Sequence, residues 1–251
     1  MLTFQNVTAG YGRQNVLNGV SFSLKPHKLT AVIGKNGCGK STLLACLNRQ
    51  IEYEGRVLYD GRDVAGWKAR ERARLLAILP QTLAAPSISV GELVAFGRNP
   101  YLDLGKRLSE ADQRMIRDAL QIIGIENMRD KYVNHLSGGE RQKAYLAMVL
   151  AQNTPVMALD EPTTYMDMEY ETAFFRLLKA LQEKRGITLL AVLHNLTQAV
   201  RYADYLAVLD QGRICFYGTP AECCQSGIVE SIFHVRAYTC EQDGEKHIFF
   251  A

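Results

Sequence analysis

Leu29-Thr-Ala-Val-Ile33, then Gly34-Lys-Asn-Gly-Cys-Gly-Lys40-Ser41, then Thr42-Leu-Leu-Ala-Cys-Leu47: these three consecutive stretches decide the fold. The first is a near-continuous apolar run of strand length, as expected of a strand buried on both faces of a sheet. The second fits G-x-x-x-x-G-K-[ST], and the third has a helical pattern, the context that gives that motif its meaning. Glycines carry no Cβ, so successive backbone N–H groups can converge on phosphate oxygens. The helix after the loop aims its positive end at the same charges. Lys40 is expected to reach the β- and γ-phosphates of a nucleoside triphosphate, and the Ser41 hydroxyl to ligate Mg²⁺. Gly34, Lys35, Asn36, Gly37, Cys38, Gly39, Lys40, Ser41 and Thr42 are therefore the expected phosphate-contact residues.

Working outward, Val156-Met-Ala-Leu159, Thr188-Leu-Leu-Ala-Val-Leu193 and Tyr205-Leu-Ala-Val-Leu209 repeat the buried-strand pattern. Helical stretches, among them Thr172 to Lys184 and Thr197 to Tyr202, lie between and after them, which predicts an α/β architecture. Gly55 to Gly61 and Gly212 to Gly218 are glycine-bounded runs suited to short antiparallel strands. The middle differs. From about Val90 to Gln152 the periodicity is helical, with no convincing strand. There Ser109-Glu-Ala-Asp112 predicts a helix cap, followed by a stripe of Met115, Ile116, Ala119, Leu120 and Ile123. The reading is a helical insertion within an α/β core.

A second chemical signal lies at the end of the run Val156 to Leu159. Asp160 and Glu161 come directly after it, so both carboxylates are expected at the carboxyl edge of the sheet, where ligands bind in such folds. Asp160 suits the outer sphere of Mg²⁺, and Glu161 suits a base that polarises water for in-line attack on a γ-phosphate. Together with the phosphate loop, the pair points to hydrolysis of a nucleoside triphosphate.

Composition narrows the class further. A chain of 251 residues fits one large domain or one with a sizeable insertion. A net charge of +3 does not announce a nucleic-acid partner. Lys68, Arg70, Arg72 and Arg74 form a basic run broken by Glu71, read as a solvated helix face. The six cysteines include no C-x-x-C pair and no zinc spacing, which suits reduced thiols. The first residues lack the basic and apolar regions of a signal peptide. No window approaches about 18 uninterrupted apolar residues, so work at a membrane is expected to go through a partner.

Leu136-Ser-Gly-Gly-Glu140, followed by Arg141 and Gln142, resembles the signature of the ABC ATPases. The resemblance covers essentially the whole chain. It implies a P-loop NTPase with a RecA-like core, an N-terminal antiparallel β subdomain and a helical insertion: core 1–82 and 153–251, helical subdomain 83–152. It implies a second anion site at Ser137, Gly138 and Gly139, which closes over the ATP held by a partner copy, so that a homodimer is part of the mechanism. Gln81 resembles the glutamine that touches Mg²⁺ and senses the transport partner. Asp167 stands where the family places its cross-dimer aspartate, and His194 resembles the histidine at the γ-phosphate. Tyr11 resembles the aromatic that stacks on adenine.

Within that family the chain is similar to the ATPases of iron-chelate (siderophore) importers, with haem and cobalamin importers as alternatives. The residues carrying this are Leu79-Pro-Gln81, Val90-Gly-Glu-Leu-Val-Ala-Phe-Gly-Arg98 with Pro100, Ala147-Met-Val-Leu-Ala-Gln152 and Asp160-Glu-Pro-Thr-Thr-Tyr-Met-Asp167. A soluble ABC ATPase, as in iron–sulfur assembly, would keep the same catalytic motifs. The importer reading implies multi-pass permease subunits, an indirect substrate-binding protein, and a peripheral place on the cytoplasmic face of the membrane. Pro86, Val90, Leu93, Phe96 and Tyr101 are candidates to line a groove for a short permease helix. The chain departs from the family at Lys35, where proline is common, at Cys38, where serine is common, and at Met166, where leucine is commoner. Lys35 is expected to add charge near the phosphates. Cys38, beside Lys40 and a helix N-terminus, is expected to be reactive as a thiolate.

Overall fold

The computed structural model describes residues 1–12, 14–102, 107–163, 168–242 and 245–250. The chain divides into two compact units, Met1–Trp67 with Lys179–Ala251, and Lys68–Leu178.

The first unit begins with the antiparallel hairpin of β1 (Leu2–Tyr11) and β2 (Gln14–Ser23). Leu2, Phe4, Val7 and Ala9 of β1 are buried, and the rings of Phe4 and Phe22 stack at 4.8 Å across the pair. β3 (Leu29–Ile33), buried at all five positions, leads through the phosphate loop into α1 (Lys40–Leu47). β4 (Tyr53–Tyr59) pairs with β1 and carries β5 (Arg62–Asp63), so the sheet runs β2-β1-β4-β5. This is the antiparallel subdomain that the resemblance implied.

The second unit opens with α2 (Ala69–Leu75) and β6 (Leu76–Leu79). Three helices come next: α3 (Val90–Phe96), α4 (Glu110–Ile123) and α5 (Gly138–Gln152). Then come β7 (Val156–Asp160), parallel to β6, and α6 (Met168–Arg185), which continues past the unit boundary at Leu178. Each of the three insertion helices starts where its own sequence says. Glu92, Asp112 and Glu140 accept from the backbone N–H groups of Ser89, Ser109 and Ser137 at 2.7, 3.0 and 2.9 Å, and the serine hydroxyls cap in return. α4 buries Ile116, Ala119 and Leu120, with Met115 and Ile123 at the edges of the stripe, and stops at Gly124 in the left-handed region (φ 72). Among the described residues, Val90 to Gln152 contains no strand, and only the single bridge Ser89–Tyr132 joins its edge to it.

The first unit then resumes. β8 (Thr188–Val192) and, after α7 (Leu196–Tyr202), β9 (Tyr205–Asp210) both flank β3 in parallel, and β10 (Arg213–Gly218) pairs antiparallel with β9. α8 (Pro220–Gln225), α9 (Ile228–Phe233) and the hairpin of β11 (Ala237–Gln242) and β12 (Glu245–Phe250) complete it. The expected buried strands lie within a residue of where their apolar runs put them. The terminal hairpin has no counterpart among the patterns read from the sequence.

Two expectations change. Val90 and Leu93 are 0% and 3% exposed, so they are core residues of the helical unit and line no groove. α3 turns these positions inward against α4 and α5; Phe96, half exposed at the end of α3, faces solvent. The basic run is also more than a solvated face. The guanidinium groups of Arg70 and Arg74 donate to the carbonyls of Leu102 and Pro100, tying α2 to the turn Asn99–Tyr101.

The family-like Arg98 and Gln152 acquire physical reasons here. Arg98 is buried, donates from Nε to Asp112 Oδ1 at 2.9 Å and from Nη1 to the Ala151 carbonyl at 2.7 Å, and lies 4.0 Å from the Tyr101 ring centroid. Gln152 Nε2 donates to the carbonyls of Ala73 and Leu76 at 2.6 and 3.1 Å. Asp112 is held below the usual carboxylate range, first by the Ser109 hydroxyl and, against the effect of burial, by Arg98. Removing one partner of such a buried pair leaves an uncompensated charge. Arg98→Ala and Asp112→Ala should each cost about 3–5 kcal/mol in urea unfolding, and the double variant less than the sum. Because the folded carboxyl is depressed, its contribution is full above the unfolded value of about 3.9 and disappears as pH falls through the folded one. The gap between wild type and Asp112→Asn should therefore narrow below about pH 4.

Candidate functional site

The phosphate loop is shaped by contacts that leave no room for side chains. A Cβ on Gly34 would overlap the Leu209 carbonyl oxygen at the end of β9 and come within 2.6 Å of Cys38 Sγ. Gly39 has φ 112, and a Cβ there would lie 2.7 Å from Leu17 Cδ2 of β2. Both positions therefore demand glycine. Lys40 begins α1 with its side chain turned back into the loop; it is 6% exposed, and its Nζ donates to the carbonyls of Gly34 and Lys35 at 2.8 and 3.1 Å. Cys38 and Thr42 are buried, while Lys35, Asn36, Gly37 and Ser41 face solvent. The loop thus presents backbone and a hydroxyl outward, with the ammonium held beneath, an arrangement suited to phosphate oxygens.

Two more expected residues lie in the same unit. The Leu193 N–H donates to the Val32 carbonyl at 3.1 Å, so β8 and β3 end side by side. His194 is the next residue, exposed at the carboxyl edge from which the phosphate loop also departs. Tyr11 closes β1 opposite Gln14, 59% exposed at the hairpin end. β2, the other arm of that hairpin, packs Val16 and Leu17 against Gly39.

The second unit gathers the acidic pair and the glutamine. β6 and β7 pair with Leu79 opposite Leu159, so the segments that leave the two strands emerge at one edge. There Gln81 Nε2 donates to Glu161 Oε2 at 2.5 Å. Glu161 has φ 48, a left-handed backbone that a glutamate rarely adopts. Such strain persists where the surrounding structure over-determines it, which is characteristic of functional positions. Nothing in the residue type announced that geometry.

Ser137 is the cap of α5, with its hydroxyl accepting from the Glu140 N–H at 3.3 Å. Glu140 is held low chiefly by its hydrogen bond from the Ser137 backbone. Ser137 and Gly138 are exposed, and a Cβ on Gly139 would meet open space. With the Glu140 N–H taken by the Ser137 hydroxyl, the N–H groups of Gly138 and Gly139 at the start of α5 are the donor set suited to an anion. Asp167 lies outside the described residues.

Residues 17–164 match the ABC transporter family. The chain belongs to that family. This ABC ATPase is 41% identical over 234 residues to the ferric enterobactin transport ATP-binding protein FepC of Escherichia coli (strain K12), covering 92% of the chain and 86% of that relative. It is 38% identical over 236 residues to the achromobactin transport ATP-binding protein CbrD of Dickeya dadantii (strain 3937), covering 93% and 88%. A solved metal-chelate type ABC transporter in an inward-facing conformation matches with a TM-score of 0.86 at 23% identity, covering 100% of this chain and 96% of that one, a likeness of fold. No helix among the described residues is long and apolar enough to cross a membrane.

The expectation for Cys38 is overturned in this ABC ATPase. The thiol is 7% exposed, and its pKa is pushed up by burial, which outweighs the opposing charge of Lys40. A buried, protonated thiol is a poor nucleophile. At pH 8, iodoacetamide should label the exposed Cys215 roughly tenfold faster than Cys38, read by peptide mass spectrometry. Faster labelling of Cys38 would restore the thiolate reading.

Proposed function

We propose that this ABC ATPase powers an importer of iron–siderophore complexes. It would sit on the cytoplasmic face of the membrane beneath multi-pass permease subunits, which receive cargo from a substrate-binding protein. Iron-chelate cargo is favoured by the relatives, whose names specify ferric enterobactin and achromobactin. Residues 83–152 form the helical arm in this reading, and 1–82 with 153–251 the core.

Tyr11 stacks on adenine, and Gly34 to Thr42 wrap the phosphates with Lys40 on the β- and γ-oxygens. The hard oxygen donors of Ser41, Gln81 and Asp160 suit Mg²⁺, which would neutralise phosphate charge when bound. Two copies face each other, and Ser137, Gly138 and Gly139 of each cover the γ-phosphate held by the other, with Asp167 reaching across. Glu161 accepts a hydrogen bond from water and aligns it with the γ-phosphorus; the new P–O bond forms as the bond to ADP breaks. His194 supports the γ-phosphate, and Gln81 relays the state of the site to the permease.

The observation that carries the hydrolytic reading is the Glu161 carboxylate, held 2.5 Å from Gln81 at the end of β7 on a strained backbone. Glu161→Gln should keep ATP binding while turnover falls about 10²–10⁴-fold, measured by phosphate release. Near-normal turnover would remove Glu161 from its role. For the cargo, cells lacking the chain should lose uptake of radiolabelled iron from a siderophore and recover it with the wild-type gene. Undiminished uptake would rule out the iron-chelate assignment.

A further inference from the structure

Lys35 is one of the positions at which this phosphate loop departs from the family pattern, and its side chain meets a residue far along the chain. Its Nζ lies 3.3 Å from His234 Nε2, 199 positions along the chain and within the same compact unit. An ammonium only donates, so Nε2 is the acceptor in this contact.

His234 occupies a costly position. It closes α9, its N–H donating to the Glu230 carbonyl at 3.1 Å, and its backbone is left-handed at φ 58. Helices that end this way commonly use glycine, which carries no Cβ to strain. Here the position holds a histidine whose ring reaches the phosphate loop. Lys35 is consequently pinned from two sides: its carbonyl accepts from Lys40 Nζ at 3.1 Å, and its ammonium rests on His234. A free lysine side chain samples many rotamers, so a charge fixed at its tip is an organised one.

We propose that His234 is a positioning residue for nucleotide binding. It holds the Lys35 ammonium at the mouth of the loop as a second cation, so that an incoming triphosphate meets a pre-set charge. The inference rests on the ATP-binding reading of the loop.

The test measures the Kd of a fluorescent ATP analogue for wild type, Lys35→Ala, His234→Gly, the double variant and His234→Gln, alongside their Tm. His234→Gly relieves the left-handed backbone, so its Tm should hold or rise while affinity falls about two- to fivefold, the scale of an exposed charge pair. Lys35→Ala should lose a similar amount or more, and the double variant no more than Lys35→Ala, because the histidine acts only through the lysine. His234→Gln, whose carbonyl can accept from the ammonium, should recover most of the loss. Unchanged affinity in His234→Gly, losses that add in the double variant, or no recovery with glutamine would each remove His234 from this role. If wild type bound no nucleotide, the ATP reading itself would fall and take this inference with it.

Discussion

Lys40 carries a charge that is almost wholly withdrawn from water, and two backbone carbonyls of its own loop are its hydrogen-bond partners. A buried ammonium is tolerable only where acceptors are already in place. Those acceptors are in place because Gly34 can pass against the end of β9 and Gly39 can turn the chain into α1 under Leu17. The loop is therefore defined jointly by a parallel strand beside β3, by an antiparallel hairpin above it and by the first turn of a helix. Change the seating of any one, and the ammonium loses its acceptors. The expected residue Tyr11 belongs to that hairpin, and His194 follows β8, the other parallel neighbour of β3.

Much of this is legible in the amino-acid order alone. β3, the loop and α1 are a run of apolar, glycine and helix-forming residues whose order has one common meaning, and β7 ends at Asp160 as its four apolar residues imply. The starts of α4 and α5 are equally plain, because a serine followed three positions later by Asp112 or Glu140 satisfies the helix end locally. What escapes depends on partners distant in sequence. Val90 and Leu93 are apolar whether they face a groove or a core, and only the packing of α3 on α5 decides. Cys38 stands next to the features that lower a thiol pKa, yet the surrounding chain removes it from water, and burial is the larger effect. The left-handed backbone at Glu161 and at His234 contradicts residue preference outright. The terminal hairpin, which pairs Ala237 with Phe250 and Gln242 with Glu245, has no strong apolar alternation to announce it.

The helical unit and the sheet unit are encoded in different ways. In the former, helix boundaries are written within four residues, and one buried pair, Arg98 with Asp112, links α4 to the segment after α3 and, through the Ala151 carbonyl, to α5. In the latter, identity of position comes from the neighbours of β3, none of which is adjacent in sequence. A functional residue in the sheet unit is accordingly placed by topology, whereas Ser137 is placed by its own cap.

That topology has a consequence for synthesis. Leu29 of β3 pairs with Leu189 of β8, and Thr30 with Tyr205 of β9. As the chain emerges from the ribosome, β3 is complete long before either neighbour exists. At about 5–20 residues per second, that wait is on the order of 10 s. Throughout it, five consecutive residues destined for full burial have both hydrogen-bonding edges unmatched, while the intervening helices, rich in local contacts, can already form. Until then the nascent protein carries, at the strand that later seats its phosphate loop, two unpaired edges of the kind that other chains can join.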